Sequence, residues 1–112
     1  MSSILQTIKK MLGISEDQTN FDTDIIIHIN SVLMTLTQLG VGPSEGFVIH
    51  DDYSSWDDFI PVDDKNFELV KSYMYLKVKL LFDPPLSSSV LSAMERSISE
   101  FEWRLNVKAE SN

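Results

Sequence analysis

The sequence predicts an all-α protein: a small bundle of about four helices in a single domain over residues 1–112, with a long acidic loop between the second and third helices. Three observations carry that prediction. Apolar residues recur at helical spacing in four stretches, and capping or breaking residues bracket each one. The 112 residues also suffice for one core, because a chain of this length buries roughly two-thirds of its unfolded surface.

The first helix follows Ser2-Ser3 as cap candidates. Its face is Ile4, Leu5, Ile8, Met11 and Leu12, and Gly13 supplies the stop. After a polar turn with Asp17, Thr19 and Asn20, Asp22 is placed to cap a second helix whose inner stripe is Ile25, Ile29, Val32, Leu33, Leu36 and Leu39. Gly40 suits the position after its end, where a positive φ is wanted. Periodicity is then lost over a loop at 41–62, broken by Gly42-Pro43 and Gly46, in which Phe47-Val48-Ile49 could run extended and Trp56 to Phe59 could make a single helical turn. A connection of this length in a compact domain is usually functional or disordered. Asp63 or Asp64 would cap a third helix of about 18 residues, roughly 27 Å long, ending at Phe82 before Asp83-Pro84-Pro85. Ser87 to Ser89 can cap a fourth helix lined by Val90, Leu91, Met94, Ile98, Phe101 and Leu105, and the polar residues 107–112 read as a flexible C-terminal tail.

Charge is placed rather than spread. Between Glu45 and Glu68, eight acids stand against the single Lys65, which leaves this block at −7 of the chain's −8. Phe47, Val48, Ile49, Tyr53, Trp56 and Phe59 are interleaved with the acids, a mixture that points to a loop meeting something rather than a solvated linker. A pI near 4.5 argues against phosphate binding, which rests on clustered Lys and Arg. No basic-then-apolar leader and no run near 20 apolar residues is present, so the protein is expected in the cytosol.

Several apolar residues fall on the wrong helical faces for a lone bundle. At about 100° per residue, Ile27 and Met34 lie nearly opposite the inner stripe of the second helix, and Trp103 lies opposite Met94 on the fourth. On the third helix one stripe is Phe67, Val70, Met74, Val78 and Leu81, and another is Leu69, Tyr73, Leu76 and Leu80. Such a helix is either central to its own bundle or shared with a neighbouring chain. Ile27, Met34, Leu69, Leu76, Leu80 and Trp103 are therefore the candidate subunit or neighbour contacts, with Trp103 the best single anchor. Patches on different helices fit a head-to-tail contact better than one self-complementary surface.

Nothing in the sequence points to catalysis, to a metal or to a cofactor. His28 sits at the edge of an apolar stripe and His50 beside Asp51-Asp52, too few histidines for zinc, and with no cysteine there are neither disulfides nor thiolate sites. The run from Asp51 fails as an EF-hand, since Trp56 stands where glycine is required and Val62 where the closing glutamate belongs. There is no Gly-x-Ser-x-Gly elbow and no phosphate-binding glycine loop.

Pieces in order along nearly the whole chain resemble the small head-tail connector (adaptor, neck or "DNA-packaging") family of tailed bacteriophages and prophages. They are Leu12-Gly13-Ile14, Phe21-Asp22-Thr23-Asp24-Ile25 with Ile29-Asn30, Gln38-Leu39-Gly40-Val41-Gly42, Val70-Lys71-Ser72-Tyr73, Lys77 through Pro85, and Glu100-Phe101-Glu102-Trp103-Arg104-Leu105-Asn106. The acidic block matches least. The resemblance implies a structural virion protein without enzymatic activity, made in the host bacterial cytoplasm and placed at the virion neck. It implies a homo-oligomeric ring of about a dozen copies that docks on the portal protein, extends the DNA channel without sequence-specific binding, and carries a downstream neck or tail-completion protein. Asp51, Asp52, Trp56, Asp57, Asp58 and Phe59 are then the candidate residues of a loop facing channel or partner. The competing reading is a small acidic regulator or DNA mimic that binds a basic host protein. A metal-dependent enzyme using Asp51, Asp52, Asp57 and Asp58 is the third.

Overall fold

The computed structural model describes residues 3–110, with side chains to Val107. Five helices follow in chain order: α1 (Ile4–Met11), α2 (Asp22–Gln38), α3 (Trp56–Phe59), α4 (Phe67–Phe82) and α5 (Ser88–Glu110). The short α3 is the single turn anticipated inside the loop, and the other four are the predicted helices. Among the described residues there is no strand. Phe47-Val48-Ile49 forms none, and the one isolated bridge joins Ser3 to Ser55, where the Ile4 N–H donates to the Ser54 carbonyl at 3.0 Å.

Local chemistry sets the ends. The Ser3 hydroxyl accepts from the Gln6 N–H at 3.2 Å and starts α1, while Gly13 and Gly40, just beyond α1 and α2, take positive φ. Two starts differ from expectation. Asp22 is the first residue of α2, not its cap, because its carboxylate is turned to Lys9. Neither Asp63 nor Asp64 caps α4, which begins at Phe67 after Asn66; the Asp64 carboxylate instead accepts from the Asn66 N–H at 2.7 Å, closing a tight turn. At the other end, α5 stays helical through Glu110, so residues 107–110 of the expected tail continue the helix, and 111–112 lie outside the described residues.

Helix α4 is the centre. It packs against α1, α2 and α5, and buries Val70, Tyr73, Met74 and Val78. Its second stripe turns out to serve the chain's own core, since Leu69, Leu76 and Leu80 are half-buried against it. Helix α5 packs chiefly on α4, with Ile98 and Leu105 buried. The result is a flat body of 40 × 36 × 21 Å, in which few residues are far from a surface.

Candidate interaction surfaces

The acidic loop is a folded strap. Ile49, Trp56, Phe59 and Ile60 enter the core with Ile4, Ile8, Ile29 and Leu33. Trp56 and Phe59, expected to face a partner, are therefore corrected: they are 1% and 3% exposed. The reason is the value of burying a large aromatic, about 2–3 kcal/mol, when its polar handle is also met. The Trp56 indole N–H donates to the Thr7 hydroxyl at 3.0 Å, and that hydroxyl donates to the Ser3 carbonyl at 2.7 Å. Phe59 lies against Phe47, ring centroids 5.5 Å apart, and against Gly42, where a Cβ would come within 2.3 Å of the ring.

Two further ties hold the strap. The Asn30 side chain grips the backbone of buried Ile49 twice, accepting from its N–H at 2.8 Å and donating to its carbonyl at 2.9 Å. The carboxylates stitch the rest. Asp51 accepts from the Tyr53 N–H at 2.9 Å, Asp58 from the Ser55 N–H at 2.9 Å, Asp57 from the Val62 N–H at 3.3 Å, and Asp52 from the Gln6 amide at 3.2 Å. Asp51, Asp52 and Asp58 are exposed and Asp57 half-buried, so their charge still meets water. Among the described residues no three His, Cys, Asp or Glu side chains are grouped to hold a metal ion.

Exposed apolar side chains include Met11, Phe21, Tyr53, Val62, Leu81, Leu86 and Val90, and also those at the two places where helical phase puts them off the core face. On α2, Ile27 is 59% and Met34 65% exposed, and with Val48 and Phe47 of the strap they form a groove of about 640 Å³ that Asn30 and Ser31 also line. On α5, Trp103 is 66% exposed, with Val107 exposed one turn further on. Leu69, Leu76 and Leu80 do not join either patch.

Sequence reasoning singled out neither Asn30 as a clamp nor two polar pairs. Lys9 is fully buried, its ammonium 2.8 Å from Asp22 Oδ1 and 3.2 Å from the Glu16 carbonyl. The contact with Asp22 lies off the hydrogen-bonding direction, so it acts as an ion pair rather than an aligned bond. A signal existed: Lys9 stands four residues after Leu5, on the apolar face. Tyr73, also buried, donates its hydroxyl to Glu102 at 2.7 Å and ties α5 to α4, with Lys77 3.8 Å from the same carboxylate. Burial, then the Glu102 hydrogen bond and charge, raises the Tyr73 pKa well above the ordinary phenol value. His28 is half-buried and packs edge-to-face with Phe82, ring centroids 6.5 Å apart.

With this geometry in hand, the comparisons with known proteins are specific in one respect. A family model described as "Phage connector protein" matches residues 4–112. No curated protein and no solved structure matches the chain. No described helix is long and apolar enough to cross a membrane.

Proposed function

This chain belongs to the phage connector protein family, a component of the neck of the virion, and on that premise we propose that it is a structural protein that assembles as a homo-oligomeric ring. The ring, of about a dozen copies, docks on the portal protein, extends the DNA channel and presents a platform to the next neck or tail-completion protein. It carries out no reaction and takes no cofactor.

The observation that carries the finer reading is that Ile27, Met34 and Trp103 remain in water after the core is complete. Ile27 and Met34 share one exposed face of α2 beside Val48, and Trp103 stands out from α5 with Val107; a grouped apolar patch marks a protein–protein contact. Copies of the same chain give them cover. The exposed acids favour the channel as well: repeated around a ring, the −7 of residues 45–68 offers phosphates no cationic site to hold, so DNA passes without sticking. Charge also orients docking on a basic surface, through encounter rate more than affinity. The DNA-mimic reading loses ground because Asp51, Asp57 and Asp58 accept bonds from their own strap rather than standing free in a phosphate-like row.

Replacing Trp103 by Ala tests the reading. Since the indole is mostly exposed, the monomer's melting temperature should move by no more than about 2 °C, within the ±0.5 kcal/mol of ordinary surface changes. Incorporation into particles should fall sharply. A large loss of stability with normal incorporation would mean that Trp103 serves only its own chain.

A further inference from the structure

Resting on the ring reading, we propose that the groove on α2 is filled by the Trp103 face of α5 from the next copy of the chain. The two surfaces are complementary in shape. One is concave, walled by Ile27, Met34 and Val48, and the other is a projecting indole with Val107 beside it. On α5, Arg96 stands seven residues before Trp103, about 10.5 Å along the helix, and so returns to the same face.

Charge supplies the register. Among the described residues Glu45 is the only charged one lining the groove, and its side chain's one polar contact there is with the neighbouring Ser44 hydroxyl at 3.5 Å. Arg96, on the Trp103 face, is exposed and makes no ion pair among the described residues, whereas Arg104 is already held by Glu100 at 2.6 Å. Seating the indole in the groove brings the uncommitted cation toward the uncommitted anion. Because each copy carries one groove and one projecting face, the contact runs head to tail and repeats from copy to copy, which is the arrangement that closes into rings.

The chain has no cysteine, so engineered thiols are the only ones it contributes. Ser31 lies in the groove between Ile27 and Met34, and Ser99 one turn before Trp103; both are exposed, and their replacement leaves the core untouched. The double variant S31C/S99C and the two single variants are assembled into virions, oxidised with copper phenanthroline, denatured and run on a gel. A ladder of this chain's multiples in the double variant, with monomer alone in each single variant, is the expected result. A ladder missing although the chain is present in the particles overturns the contact and leaves the neck role standing. A dimer from either single variant, which marks a self-complementary contact, also overturns it, as does a product containing another protein. Absence of the unaltered chain from particles would instead remove the neck reading itself.

Discussion

Removing the Asn30 clamp is the most direct test of how the strap is held. In Asn30→Ala, the Ile49 N–H and carbonyl lose their partners at 2.8 and 2.9 Å while Ile49 itself remains buried. Each orphaned buried group costs about 1–3 kcal/mol. Asn30 is half-buried, so water replaces part of the loss and the total is about 2–4 kcal/mol. An unfolding entropy near 2.1 cal/mol/K per residue makes 1 kcal/mol worth roughly 4 °C in a chain of 112 residues, so the melting temperature should drop by about 8–16 °C. Amide exchange at Ile49 should accelerate with it, and protease cleavage should appear in residues 41–55. The Asn30→Asp variant sharpens the assignment. Ionised, the introduced carboxyl accepts from Ile49 N–H but faces the carbonyl with no proton to give; protonated, it restores both bonds. Its folded-state pKa is therefore raised, and stability is regained as pH falls through that value. A melting temperature of Asn30→Ala within about 2 °C of the unaltered chain, with Ile49 exchange unchanged, would refute the clamp.

The remaining predictions concern the core and its ties. Gly42→Ala places a Cβ 2.3 Å from the Phe59 ring at a φ of +85°, so urea unfolding should show a loss of about 2–4 kcal/mol, and Gly42→Asn should fare no better because the ring is still in the way. Asp22→Ala leaves the Lys9 ammonium buried without its counter-charge, and the midpoint of urea unfolding should fall by the equivalent of about 3–5 kcal/mol. Above pH 10, the ordinary tyrosine value, an unfolded chain gives up the Tyr73 proton and the folded one keeps it, so stability should fall by about 1.4 kcal/mol per pH unit. Tyr73→Phe should abolish that alkaline slope while lowering stability at neutral pH; an unchanged slope would place the titration elsewhere.

What the sequence discloses divides by range. Ser3, Gly13, Gly40 and Pro84-Pro85 act on backbone within a turn of themselves, so the four long helices are legible from them. The exposure of Ile27, Met34 and Trp103 is legible too, because helical phase is a local property. The strap is where reading failed. Asp-rich surroundings suggest that Trp56 and Phe59 face outward, yet Ser55-x-x-Asp58 is a short-range cap signature and Asp64-x-Asn66 a turn signature, both saying that the acids serve the backbone. Asn30 with Ile49 and Tyr73 with Glu102 lie beyond any such reach, 19 and 29 residues apart, and only the folded chain brings them together.

A loop without ladder hydrogen bonds needs acceptors for its N–H groups, and aspartate is the shortest side chain that brings a charged oxygen to them. Charge then accumulates in the strap as a consequence of how it is folded, while Ile49, Trp56, Phe59 and Ile60 point the other way and anchor it. The two consequences separate at particular residues. Asp58 both carries charge and caps α3, so neutralising it alters fold and field together. Asp63 makes no hydrogen bond or ion pair among the described residues, and Glu45 none beyond Ser44. Glu45 also faces the groove proposed to receive Arg96 of the next copy, so Asp63 is the position where charge is removed alone and the electrostatics of the neck can be separated from the stability of the strap.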